Sequence, residues 1–427
     1  MAEFKLSLSE VSALFKIKYE KLSENVYNSS NVLLGRVKKS YNFTGKRLSI
    51  AIPQSFAGGV GSGDLPTANT AIYGDAQIEA KKMYAVVEID RETIKASLSD
   101  EGAFVRATKE VVQKGVESFM RNLSRALFND GTGKLGSSLA VDASDAKASA
   151  LAPDSDGNIV VPIADMKEAN FEERDLVDIE TSASATSGAV TLSGKEIVAV
   201  DLDEDNAGTP AHNPTISIKG VSTTNFADGS GNLQAADIYM QGSKDNDPEG
   251  LKGVLDATSG QNYGIDVGRR WKAVQKTSAG SISTDLLNEM MLKIKKTCGK
   301  SPNLIVTSFK QYEKILNLID DKVQYKVETR AGLKGKNGVP LSFSGIQFMS
   351  IDGPVGIFPE RFVEDDRLYL LNDAHIHIHH RPDFGWFDDD GTVFLRKATS
   401  DAYEARYGGY LQIYINPCFH GVMSGLT

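Results

Sequence analysis

The chain has 427 residues, a mass of 46.1 kDa and a formal net charge of −9. That length exceeds one simple core, so two to four domains or one elaborated domain are expected, and 41% apolar with 24% charged residues excludes a disordered or fibrous chain. The acidic balance and the lack of a long Lys or Arg run exclude a surface built to grip nucleic-acid phosphates tightly.

The opening MAEFKLSLSEVSALFKIKYEK lacks the apolar core and small-residue cleavage site of a secretory signal. No apolar stretch reaches the ~20 residues that cross a bilayer. A protein made in the cytoplasm, with no membrane partner, is expected. Cys298 and Cys418 allow at most one bridge, and two cysteines suit a reducing compartment better than a disulfide scaffold. Between Leu6 and Leu22 the apolar residues fall at helical spacing and predict a short amphipathic helix, docked on the protein's own core or on a neighbour.

From Gly45 the text alternates. GKRLSIAIPQ and AQIEAKKMYAVVEIDR flank the glycine-rich FAGGVGSGDLPTANTAIYG, which predicts a β-hairpin. With about 12 extended residues per arm it would reach ~40 Å, too far to fold flat on a compact domain, so it needs a partner to lie on. The glycines Gly58, Gly59, Gly61 and Gly63 open no helix and lack the Gly-Lys-Ser/Thr ending of a phosphate loop. Ser99 then caps a helix in which Phe104, Val105, Val112, Val116, Phe119, Met120, Leu123 and Leu127 keep one face apolar. About 29 residues make it ~43 Å long, a strut rather than a catalytic bowl.

Residues 139–246 are rich in Ala, Ser, Asp, Thr and Gly, with short apolar runs such as NIVVPIA, EIVAVDL and TISIKG, and predict a β-rich module. Its acidic DLDEDNAG carries Asn206 where a calcium-binding EF-hand loop needs glycine and His212 where it needs glutamate, so it reads as a solvated turn. After a turn-rich bridge, DPEGLKGVLDA, the text becomes α/β. TDLLNEMMLKIKKTC predicts a helix with Leu286, Leu287, Met290, Met291 and Ile294 inward. NLIVTS predicts a buried strand, SFKQYEKILNLIDD a second helix, and LSFSGIQFMSID strands, with AGLKGKNG a connecting loop. RLYLLNDAHIHIHHRP, GTVFLRKAT and EARYGGYLQIYIN predict three strands of one antiparallel sheet.

Four of the six histidines fall in DAHIHIHHRPDF. Strict alternation points His375, His377 and His379 one way and Ile376 and Ile378 the other, with imidazoles about 7 Å apart, too far to share an ion without ligands from elsewhere. The remaining histidines, His212 and His420, lie far off in the sequence. A metal-dependent hydrolase using this strand is therefore the lesser reading, beside a half-exposed sheet face. No G-x-S-x-G elbow is present, and neither cysteine has a catalytic setting. No catalytic residue, metal ligand or cofactor site is assigned, and the chain is read as no enzyme.

ALFNDGTGKLG after the long helix, and PEGLKGVLDA after the β-rich stretch, resemble the major capsid proteins of tailed bacteriophages, in which a spine helix leads to a G-D-G-T-G type turn and then an E-G-L segment. Here Asn129 to Gly133 give NDGTG and Glu249 to Leu251 give EGL, and the order of the remaining parts agrees. The resemblance implies an α+β phage major-capsid fold, shared with encapsulins. It implies an N-terminal arm at 1–44, an extended β-hairpin loop at 45–92 and a peripheral domain with the spine helix at 93–138. An inserted β-rich module at 139–246 and an α/β axial domain at 247–358 follow, then antiparallel peripheral strands at 359–415 and a C-terminal return to the axial domain at 416–427. It further implies a structural subunit that assembles with itself as pentamers and hexamers into an icosahedral head around double-stranded DNA. A separate scaffolding protein, a portal and a decoration protein are the implied partners, and an encapsulin-like nanocompartment shell is the alternative within the fold.

Overall fold

A computed structural model of the chain describes residues 32–40, 43, 47–55, 72–90, 101–145, 148, 151–164, 170–181, 190–201, 214–227, 230–268, 270–320, 346–350, 352–387, 393, 395–397 and 400–427. The predicted Leu6–Leu22 helix, the hairpin tip at Phe56–Asn69, the Ser99 cap, His212 with most of the acidic turn, and the AGLKGKNG loop lie outside the described residues. The chain divides into two compact units. One holds the described residues up to Leu127 with 248–360 and 365–427; the other holds 128–247 with 361–364.

The first unit opens with helix α1 (Val32–Arg36) and strand β1 (Lys38–Ser40). Strands β2 (Arg47–Ser55) and β3 (Ile72–Glu79) pair antiparallel from Arg47 opposite Glu79 to Ser55 opposite Ile72. The register shifts just after Pro53, whose ring nitrogen has no hydrogen to give the ladder. The predicted return arm is divided: after Ala80, strand β4 (Lys81–Asp90) leaves β2 and joins another sheet. Burial of Met83 and Val87 on one face of β4 explains its departure, because that row needs a covering layer that a free hairpin lacks. The cover is helix α2 (Glu101–Phe128), which buries Val116, Phe119, Met120 and Leu123. Its apolar stripe is the one the spacing predicts; side chains are described from Gln113 onward.

The second unit contains β5 (Lys134–Ser137), β6 (Ala152–Pro153), β7 (Ile159–Pro162), β8 (Leu176–Thr181), β9 (Val190–Asp201), β10 (Thr215–Ile218) and β11 (Ala236–Met240). The order is β5-β11-β8-β9-β10-β7-β6, antiparallel throughout. The sheet then closes. Ser138 bridges Ile163, Leu139 N donates to Pro162 O at 2.8 Å, and Ala164 N donates to Ser137 O at 2.9 Å, which joins β7 back to β5. Six strands thus form a small barrel whose interior is filled by Val161, Ile179, Ile197, Ile216, Ile238 and Phe226. Because β5 is a stave of this barrel, the β-rich unit starts before the predicted 139.

Back in the first unit, the predicted turn-rich bridge is a helix, α3 (Leu251–Asp256), since Leu251, Val254 and Leu255 recur at helical spacing and are buried. A hairpin of β12 (Gln261–Asn262) and β13 (Ile265–Asp266) follows, then β14 (Val274–Lys276). Helix α4 (Thr284–Cys298) is capped by Ser283, whose Oγ accepts from Leu286 N at 3.2 Å, and ends at Gly299 in the left-handed conformation (φ 75°). Its buried face is Leu286, Leu287, Met290, Met291 and Ile294, as the periodicity predicts. Then come β15 (Leu304–Thr307), α5 (Phe309–Asp320), β16 (Ile346–Ser350), β17 (Gly353–Pro359), β18 (Leu368–Leu371), β19 (Ile376–Trp386), β20 (Leu395–Arg396), β21 (Ala402–Ile415) and β22 (Gly421–Met423).

These strands form two sheets. The axial sheet has the order β14-β22-β18-β15-β17-β16, with β15 and β18 buried along their whole length. The peripheral sheet has the order β1-β19-β21-β20, with β4 also paired to β21. Two expectations are corrected here. RLYLLNDAHIHIHHRP is not one strand: Asn372 accepts from Ala374 N, forms a tight turn, and sends β18 to the axial sheet and β19 to the peripheral one. Nor is the peripheral sheet wholly antiparallel, since β1 runs parallel to β19. Cys298, at the end of α4, is bonded to Cys418, the one bridge that two cysteines allow although their number suits a reducing compartment; the turn at Pro417–Phe419 brings their Cα atoms to 6.1 Å.

Candidate assembly surfaces and the histidine strand

The two faces of the peripheral sheet have different fates. On the inner face Phe119 of α2 meets Phe384 at 5.4 Å and Tyr407 at 5.2 Å between ring centres. Gly115 allows the helix to come closer still, since a Cβ there would lie 2.5 Å from Val87 Cγ2. The outer face carries Tyr84, Val86 and Tyr410, of which Val86 is 58% exposed and Tyr84 42%. Tyr84 packs edge-on against Phe387 at 5.6 Å, and burial followed by its hydrogen bond to Tyr410 raises its hydroxyl pKa. Around this apolar patch run Arg406 paired with Glu404, and Lys397 Nζ 2.6 Å from Glu88 Oε2. A contiguous apolar patch with a charged rim is the composition of a surface that another protein covers.

The hairpin repeats the pattern. Near its base the outward row is polar, with Arg47 paired to Glu79 and Ser49 donating to Asp75, and farther out it carries Tyr73, 60% exposed. Its inward row is apolar, but the two strands are covered unequally: Ile78 and Ala76 of β3 are fully buried, whereas Leu48, Ile50 and Ile52 of β2 are only half-buried. The base is held by Gln77 N donating to Tyr263 O at 2.8 Å. Apolar side chains also face outward on the axial part, where Phe309 is 61% and Met349 73% exposed.

The histidines are placed by β19. His377 and His379 share a face, 6.0 Å apart, opposite Tyr414 and Gln412 of β21, while Ile376, Ile378 and His380 face the other way. Phe43 lies edge-on to His379 at 6.3 Å, so His379 is covered, while His377 on the same face is half-buried as expected. His375 does not belong to the row: it sits in the turn before the strand, stacked on Phe419 at 3.7 Å with Lys300 Nζ 3.3 Å from its Nε2. His420 is fully buried, and its Nδ1 accepts from Asn372 N at 3.2 Å. Burial first, then neighbouring positive groups, holds these imidazoles below their ordinary range, His379 at about 4 and His420 at about 3. Among the described residues no group of three or more His, Cys, Asp or Glu side chains converges on a common point.

Sequence reasoning missed the Tyr84, Val86 and Tyr410 patch. The signal was present, because MYAVVEID is apolar on both faces of a strand, and only one face can meet α2.

No family model matches this chain, and no curated protein matches it. Among solved structures, it is similar to the capsid asymmetric unit of cyanophage A-1(L), with a TM-score of 0.50 and 11% identity over 93% of both chains. Other similar structures score lower. The encapsulin complex of Synechococcus elongatus has a TM-score of 0.42 at 8% identity, over 91% of this chain and 85% of that one. A satellite phage P4 procapsid chain has a TM-score of 0.40 at 8% identity, over 96% and 91%. The chain has the fold of the phage major capsid proteins.

Proposed function

We propose that this chain is a shell subunit, the major capsid protein of a tailed bacteriophage. It builds pentamers and hexamers that close into an icosahedral head around double-stranded DNA in the host bacterial cytoplasm. The observation that carries this reading is the extent of the likeness to a phage capsid chain, 93% of both chains rather than one shared module. The surfaces agree with it: the apolar hairpin row, only half-buried along β2, and the tyrosine patch are ordered most favourably against further copies. Many modest contacts repeated by symmetry add to a firm shell. In this reading the β2–β3 hairpin is the extended loop, α2 the spine, the barrel a module inserted between spine and axial domain, and the −9 charge keeps packaged DNA from adhering to the wall. A separate scaffolding protein, a portal and a decoration protein complete the head.

The second reading is an encapsulin-like compartment, supported by the same fold. Particle contents separate the two. Shells purified from producing cells and opened after nuclease treatment should release protected DNA; shells holding a protein cargo and no DNA would replace the phage reading with the encapsulin one. Stoichiometric zinc, manganese or iron in the purified protein would instead revive the hydrolase.

A further inference from the structure

Helix α1 is held from the far end of the chain. Val32 N (2.9 Å) and Leu33 N (3.4 Å) both donate to Oε1 of Glu360, a residue 328 positions from Val32 and 5% exposed. Glu360 is itself fixed at the end of β17, its N–H donating to Thr307 O at 2.9 Å. The elements around it bring little charge. Arg36 of α1 lies over Phe358 at 5.2 Å and is balanced by Asp373, while Thr307 and Ser308, on the β15 side, are neutral. Among the described residues, burial and the two N–H donors act on the carboxyl: burial raises its pKa, the donors lower it, and burial is the larger.

We propose that Glu360 is a protonation-controlled latch, which in its neutral form holds α1 against the end of β17 and on ionisation loosens it. Burial favours the neutral acid. Both donors converge on Oε1, which accepts in either protonation state; these two N–H bonds pull towards the ionised form and burial pulls the other way. An ionised carboxylate in the same place keeps the two N–H bonds, but among the described residues no ion pair offsets its lost hydration. Burial accordingly lifts the group from 4.5 to about 7. The sign follows from linkage. The docked state binds the proton more tightly than a released state with an ordinary carboxyl, so docking is strongest below about 4.5 and is lost as pH rises through about 7. The latch acts within one subunit and does not depend on the shell-forming role.

Hydrogen–deuterium exchange of the Val32–Val37 segment in the full-length chain tests this at pH 5.5 and 8.5, with rates corrected for intrinsic amide exchange. Protection should fall about thirtyfold from the lower pH to the higher. The Glu360→Gln chain keeps a carbonyl oxygen for both donors without a titrating proton, so its protection should be the same at both pH values. Wild-type protection that is equal at the two pH values, or greater at 8.5, overturns the proposal whether or not the variant folds. So does a Glu360→Gln chain with the wild-type pH response.

Discussion

The barrel and the peripheral sheet are both made of antiparallel strands, yet one is complete and the other is not. In the barrel, the Ser138–Ile163 bridge leaves no open seam between β5 and β7, and the buried isoleucines fill the interior. In the peripheral sheet, α2 covers one face while the other presents Tyr84, Val86 and Tyr410, and β1 ends the sheet after three residues, two of them lysines. Closure is how a β-structure becomes self-sufficient; an open sheet with an apolar outer patch is how it remains available to a neighbour. The same chain uses both, and the difference marks where other copies are expected to bind.

The two regions can be tested separately because both tryptophans, Trp271 and Trp386, belong to the unit with the peripheral sheet. Phe226→Ala removes a ring that is 1% exposed in the barrel core and should cost ~3–5 kcal/mol. Thermal melts should show early loss of β-signal by circular dichroism while tryptophan fluorescence keeps its wild-type transition; coincident early melting by both probes would make the units one cooperative body. In the other unit, Gly115→Leu drives a side chain into Val87 and should cost about 1–3 kcal/mol, seen as a lowered fluorescence midpoint.

Acid should also act unequally. His379 and His420 are buried with pKa values of about 4 and about 3, so between pH 6.5 and 4 the unfolded chain binds more protons than the folded one. Stability of their unit is therefore full above about pH 6.5 and should fall by on the order of 3 kcal/mol as pH drops to 4, a net figure that includes the partial offset from Glu360, whose shift has the opposite sign. Denaturant titrations followed by tryptophan fluorescence at pH 7 and 4 check this, and an unchanged midpoint would remove the histidines from the account. The smallest effect on the isolated subunit belongs to the double substitution Val86→Ser and Tyr410→Ser. It should alter stability by no more than about 0.5 kcal/mol while raising the protein concentration at which particles form.

Much of this architecture was legible in the text. The inward face of α4 follows from 3.6-residue spacing, and the apolar stripe of α2 follows from the same arithmetic. What periodicity could not reveal were the choices made by tertiary contacts. Nothing local separates β18 from β19 except Asn372, whose side-chain turn sits inside an unbroken β-like run. Barrel closure depends on Ser138 meeting Ile163 across 25 positions, and the latch on Glu360 meeting Val32 across 328. At the histidine strand the alternation of residues 376–379 was legible, but the departure of His375 and the cover over His379 come from Phe419 and Phe43, remote in sequence.

Sedimentation velocity of the wild-type chain beside a chain lacking residues 56–69 tests the central claim most directly. The wild type should sediment as large closed particles, and the deleted chain as a folded subunit that fails to build them. A wild-type chain that stays a single 46.1 kDa species at every concentration, or a deletion that yields normal particles, would contradict the account.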